Sequence, residues 1–292
     1  MSRLHLHLLI AGFMLLLSGS PVSAQVRVEL EFARRLYVVY EPLIATVTIT
    51  NLTGRDLELH DEGGKKWFGF EITSLGGLLV SPTDPDYQLG PFRIGAGQSA
   101  TRKINITPLY RLGEFGTYKM RATIWSAEND RYYTSPMRQV DITEGKIFWQ
   151  ETVGMPDGTG SRTYSLLTHR TQKDTRLYVR VEDRENGVVY ATAHIGRYLS
   201  FAPAQYQIDV QNTLHILQLV SPKTFLYTHI GLDGQILAHE PYVSTALDPH
   251  LKRGVSGDVH VAGGALQLTE PSTGPAPSVP KLSDRPVPLP KP

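Results

Sequence analysis

The sequence predicts an all-β protein, and three observations carry that prediction. Apolar and polar residues alternate with a period of two in short runs, first at Val26, Val28, Leu30 and Phe32, then at Leu43, Ala45, Val47 and Ile49. This is the pattern of strands buried on one face. Glycine or proline interrupts the runs at short intervals, at Gly63-Gly64, at Gly76-Gly77 and within 81–85, 95–97 and 113–116, where turns need a positive or a preset φ. No amphipathic helical period lasts beyond two turns.

The elements follow in order. Residues 1–24 read as a secretory signal peptide. Arg3 gives a positive start, 8–17 form a short apolar run, and Val22-Ser23-Ala24 put small residues at the −3 and −1 positions of a cleavage site. The run is too short for a spanning helix. The mature chain is expected to begin at Gln25 and to be exported, either periplasmic or secreted. Residues 25–145 contain strand patterns at 25–32, 43–50, 56–60, 67–73, 88–92, 100–106, 118–127 and 138–143, the count and spacing of a β-sandwich. Residues 146–245 change texture. A hairpin at 177–181 and 188–196 recurs at 214–219 and 225–231, and 147–153 with 164–169 reads as a worn copy. Asp233-Gly234 then makes a tight turn into a strand at 236–242. An antiparallel meander or a second sandwich is expected.

Residues 246–292 are expected to be a poorly defined segment ending in a disordered tail. Eight of the 20 prolines fall in the last 22 residues, a composition that favours an extended polyproline-like chain over a packed one. Such a tail serves as an exposed spacer. Its sharper alternative is a docking peptide, with Pro277-Ser278-Val279-Pro280 and 286–292 laid across an aromatic groove.

Two phrases carry a family resemblance. Tyr40-Glu41-Pro42-Leu43 leads into Val47-Thr48-Ile49-Thr50-Asn51, and Gly116-Thr117-Tyr118-Lys119-Met120-Arg121-Ala122 is followed by Ser135-Pro136 and a last strand ending at Gly145. Residues 25–145 thereby resemble the immunoglobulin-like modules of bacterial envelope proteins. Similar wording occurs in macroglobulin-like domains and in bacterial proteinase-inhibitor-like sandwiches. Tyr40 stands where such modules commonly have glycine. The resemblance implies a sandwich fold for the first region and leaves function open.

Composition excludes several classes. Net charge is +1, from 29 basic and 28 acidic residues, without the basic excess of a nucleic-acid surface. No second apolar stretch reaches the length of a membrane helix. There is no cysteine, which excludes disulfides, thiol catalysis, cysteine-ligated metal and a lipoprotein anchor. The chain has no G-x-S-x-G elbow and no H-E-x-x-H pair, and no cofactor is implied.

The remaining candidates are few. Trp67 and Trp125 fall on strand faces opposite the core-like residues, so they form a binding surface unless the second region packs over them. His194, His229 and His239 lie on neighbouring hairpins, and three imidazoles meeting there would make a zinc site; otherwise they are structural or surface histidines. The sequence therefore reads as a non-catalytic binding or scaffolding protein of the bacterial envelope, with a protein or an envelope polymer as partner. The alternatives are a hydrolase or accessory module using the histidine-rich region, and a proteinase inhibitor presenting a loop at 76–91.

Overall fold

The computed structural model describes residues 26–267 and the backbone of residues 287–288. The expected signal peptide and the rest of the proline-rich end lie outside the described residues. Among the described residues every regular element is a strand. None of them forms a helix long and apolar enough to cross a membrane. The molecule is all-β, with two separate sheet-containing regions.

The first region contains β1 (Val26–Phe32), β2 (Leu36–Val38), β3 (Ile44–Asn51), β4 (Leu57–Leu59), β5 (Phe68–Ser74), β6 (Phe92–Ile94), β7 (Ser99–Asn105), β8 (Gly116–Ser126), β9 (Arg131–Thr134) and β10 (Arg138–Thr143). One sheet has the order β1-β3-β7. The other runs β2-β10-β8-β5, with β9 also on β8, while β4 and β6 pair separately. Alternation in β1 and β3 is strict, and Val28, Leu30 and Val47 share one core with Ile72, Met120 and Ile124 from the second sheet. The strand expected at 88–92 is displaced to Phe92–Ile94, because Pro91 carries no N–H for a ladder. Tyr40 adopts φ 66°, a region that costs an L-residue about 1–2 kcal/mol and that glycine would occupy freely.

The second region contains β11 (Lys146–Gly154), β12 (Ser161–Arg170), β13 (Thr175–Asp183), β14 (Val188–Arg197), β15 (Gln205–Ile208), β16 (Leu214–Ser221), β17 (Thr224–Ile230), β18 (Ile236–Val243), β19 (His250–Arg253), β20 (Val259–Ala262), β21 (Ala265–Leu266) and β22 (Val287–Pro288). Two five-stranded sheets, β11-β12-β13-β14-β22 and β15-β16-β17-β18-β21, bury Tyr164, Val179 and Ile195 against Leu214, Ile216 and Ile230. The hairpin of β19 and β20, in a stretch with no legible sequence pattern, covers the other face of the second sheet with Leu251 and Val259. β22 pairs with the free edge of β14 at Val188 and Val189.

The two regions meet through buried groups. Val38 packs on Leu167 and Tyr178, and Val189 joins the core of the first region. The buried Arg180 donates to Val39 O (3.1 Å) and to Thr192 Oγ1 (3.1 Å), and its guanidinium lies 5.2 Å from the Tyr40 ring.

Candidate functional site

The described residues offer two places where chemistry gathers, a polar cluster in the second region and an aromatic groove on the first. The cluster is built on the turn between β15 and β16. Asp209 Oδ1 accepts the backbone N–H groups of Gln211 (2.9 Å) and Thr213 (2.8 Å), the usual use of aspartate in a turn. Its Oδ2 accepts from Thr213 Oγ1 (2.8 Å) and from His215 Nε2 (3.0 Å). With its proton committed to Asp209, Thr213 Oγ1 must accept from His229 Nε2 (2.7 Å). His215 Nδ1 lies 2.7 Å from the Tyr227 hydroxyl, in hydrogen-bond contact. Nε2 of each imidazole is thus a proton donor within the network.

The electrostatics follow from these contacts. Burial, with His215 alongside, pulls His229 down to about 4. Burial raises Asp209, but the hydrogen bonds from His215 and Thr213 outweigh it and hold the carboxyl below its ordinary range. Burial also pushes the Tyr227 hydroxyl up to about 12.

Asp209, His215 and His229 are the one group among the described residues close enough to hold a metal, with ligand atoms within 4.8 Å of one another. Their orientation fits a metal poorly. The two imidazoles are stacked, 4.1 Å between centroids and 17° between planes. A ring nitrogen binds metal in its own plane, and two nearly parallel planes share no such position between them. Nor does the series Tyr227–His215–Asp209 serve as a nucleophile. Tyr227 is 8% exposed and packed with Leu217, Leu251 and Val259, and its raised pKa keeps it a phenol. The cluster is a satisfied network that fastens a turn to the neighbouring strand.

The three histidines named from sequence do not converge. His229 joins the cluster. His239 is the register partner of Thr228, one residue along, and its Nδ1 lies 3.0 Å from Thr228 Oγ1, so it points to the opposite face. His194 is on β14 in the other sheet, exposed, with its ring 5.3 Å from that of Tyr178. Sequence reading missed Asp209, Thr213 and His215.

The tryptophans form no exposed surface either. Trp67 precedes β5, is 2% exposed and belongs to the core, its ring stacked on Phe92 (6.3 Å) and its Nε1 donating to Leu89 O (3.0 Å). Alternation fails there because the strand begins one residue later. Trp125 is 5% exposed, with the Lys65 ammonium 5.0 Å from its ring centroid and Tyr132 as its register partner. These covering groups come from the first region itself.

The groove lies beside Trp67, on the outer face of the β5–β8 pair, and measures about 260 Å³. Its floor is Gly69 and Thr123, cross-strand partners. Beyond them Glu71 and Arg121, also partners, form an ion pair (2.6 Å). A Cβ at Gly69 would meet only Thr123 Oγ1, at 3.3 Å, so the floor is open because this residue has no side chain. Rings of Phe68, Tyr87, Tyr110 and Tyr132, with Pro82 and Pro85, make the walls.

Hydrogen bonds hold those walls in place. Tyr110 Oη accepts the Phe70 N–H (3.1 Å) and donates to the Phe70 carbonyl (3.0 Å), capping the edge of β5. The Lys66 ammonium donates to the carbonyls of Pro85 and Tyr87, the latter at 2.8 Å. Thr83 N–H donates to Leu109 O (2.8 Å). The loop running from 81 to 91 is therefore strapped down. The exposed apolar side chains of that neighbourhood are Leu75, Leu78 and Leu79 at the hairpin tip before it.

No protein-family model matches the chain, and no curated protein matches it. Among solved structures the chain is similar to the sporulation control protein Spo0M of Bacillus subtilis, at 8% identity and a TM-score of 0.28, over 57% of this chain and 83% of that one. A likeness at that level carries no functional argument.

Proposed function

We propose that this chain is an exported, non-catalytic binding protein of a bacterial envelope, periplasmic or secreted, and that the groove on its first region is the contact surface for a protein or an envelope polymer. One observation carries the reading: four aromatic rings and two prolines surround an open glycine floor, with the walls fixed by hydrogen bonds before any ligand arrives. Preorganised aromatic surface of that kind lowers the cost of ordering on binding. The volume is below the range of about 300–1,000 Å³ usual for a small-molecule pocket, which suits a few units of an extended polymer. The titratable groups of the Asp209 cluster are occupied with one another, which favours binding over catalysis there.

The immunoglobulin-like reading of residues 25–145 belongs to the same proposal. It is supported by the grouping of the first, second and fifth strands of a seven-strand sandwich (β1, β3, β7) apart from the third, sixth and seventh (β5, β8, β10). The glycine-like φ of Tyr40 adds to it. The test is photocrosslinking in the native envelope with p-benzoylphenylalanine in place of Tyr132. A specific adduct that disappears in Gly69→Val is expected; an adduct pattern unchanged by Gly69→Val would overturn the reading.

A second reading rests on the Leu75–Leu79 tip. Leu78 is 75% exposed on a turn closed by Gly77 N–H to Ser74 O (2.9 Å), a shape that can enter a protease cleft. Unaltered hydrolysis across a panel of serine, cysteine and metalloproteases would remove it.

A further inference from the structure

We infer that the free edge of β11 recognises a second copy of this chain, the two strands pairing antiparallel about Trp149 so that Lys146 of each copy faces Glu151 of the partner subunit. Main-chain groups at a sheet edge need partners, and folds cover such edges or place charges along them. Several edges of this molecule are covered. β5 is closed by residues 78–80 and by Tyr110 Oη. β1 receives the Arg138 guanidinium at Leu30 O (2.9 Å), β15 that of Arg253 at Ile208 O, and β18 ends against β21. β7 carries Arg102 and Lys103. β11 differs. It is nine residues long, pairs with β12 alone among the described residues, and has one cap at its far end, Asn212 Nδ2 donating to Gly154 O (2.9 Å). Its stretch from Ile147 to Gln150 carries no charge, and Ile147 and Phe148 are each 40% exposed.

Charge decides the occupant. Lys146, Trp149 and Glu151 are the register partners of Thr168, Leu166 and Tyr164 on β12, so the three share one face. The irregularity between Ile147 and Trp149 takes Phe148 out of the count. Lys146 and Glu151 therefore stand two pleat positions from Trp149, one on each side. Both are exposed, and neither takes part in an ion pair among the described residues. A two-fold axis through Trp149 makes the edge its own complement: opposite charges meet at both ends of the contact, and Ile147 lies beside Gln150 on the other face. A slip of two positions sets Trp149 opposite Lys146 or Glu151 and loses both charge matches. Cross-strand pairs of opposite charge stabilise a ladder, and like charges in the same places oppose it. One strand edge buries less than an interface of standard size, so a dimer dissociating in the micromolar range is expected.

The experiment is sedimentation equilibrium of the purified full-length chain, unaltered and carrying Lys146→Glu, Glu151→Lys or both. A reversible dimer is expected for the unaltered chain. Each single reversal sets like charges opposite one another at both ends and should weaken the dimer by about tenfold or more. The combined variant should regain it, and so should an equal mixture of the two single variants, as a heterodimer. Both positions are exposed, so unfolding midpoints should stay level. A monomer at every concentration would overturn the inference and assign Lys146 and the irregularity at Phe148 to keeping the edge unpaired. A dimer indifferent to the reversals, or one that neither combination restores, would overturn it as well, because another surface then holds the copies together.

Discussion

The polar cluster of the second region and the groove of the first use hydrogen bonds to opposite ends. Around Asp209 the donors and acceptors satisfy one another: a turn, two histidines, a threonine and a tyrosine close into a network. Around Gly69 the hydrogen bonds run sideways, from Lys66 and Tyr110 to main-chain groups of the loop and the edge strand, and leave the floor open. The cluster has the richer chemistry and the groove has the room. Titratable residues in proximity are therefore a weak guide to a site until their partners have been counted.

The most severe way to break the comparison is Asp209→Ala. It strands the Thr213 hydroxyl, His215 Nε2–H and two backbone N–H groups, and should cost about 3–4 kcal/mol in urea unfolding. A loss below about 1 kcal/mol would show that the network is dispensable. Acid acts next. An unfolded imidazole titrates near 6.5 and the folded His229 at about 4, so between those values the unfolded chain binds more protons. Stability should be full above pH 6.5 and fall as pH drops toward 4, by about 1–2 kcal/mol once partial exposure is allowed for. His229→Asn should flatten that part of the stability profile; an unaltered slope would assign it to other groups.

Tyr110→Phe tests the groove wall. Removing one oxygen leaves both Phe70 main-chain groups open at a sheet edge and should cost about 1 kcal/mol. It should also raise self-association, read by sedimentation, because an uncapped edge recruits strands. Gly69→Val sharpens the contrast with the least disturbance. A β-branched residue suits a strand better than glycine, so stability should stay level or rise by up to about 1 kcal/mol, while the groove fills and crosslinking from position 132 is lost.

The fold was legible where one face is buried and the other wet. Val26 to Phe32 and Ile44 to Asn51 alternate as the pleat requires. The hairpins of β13–β14 and β16–β17 announce themselves through their repeated wording. Three- and four-residue strands such as β2, β9 and β15 are too short to show a period.

The cluster was hidden by register. A plain two-residue turn at Pro222 and Lys223 would set His215 opposite Ile230. An irregularity between Leu219 and Ser221 shifts the ladder by one, and His215 meets His229. A one-residue slip reverses which side chains face each other, and no local pattern reports it. The groove was hidden for another reason. Its wall residues come from four separated stretches, and its defining member, Gly69, contributes by having nothing to place there.

The double contact of Tyr110 with Phe70 has a consequence for how this surface can change. A sheet usually stops by being covered with another strand, which brings its own side chains and fills the adjoining space. Here residues 78–80 pair with β5 at Ile72 and Ser74, and at Phe70 a single phenolic oxygen ends the ladder. The segment from 81 to 91 therefore need not run as a strand beside β5 at that point, and is held by contacts of its own, Thr83 N–H to Leu109 O, the Lys66 ammonium to Tyr87 O and the Trp67 indole to Leu89 O. One sandwich can in this way vary its binding surface through the loop side chains that lie between those anchors.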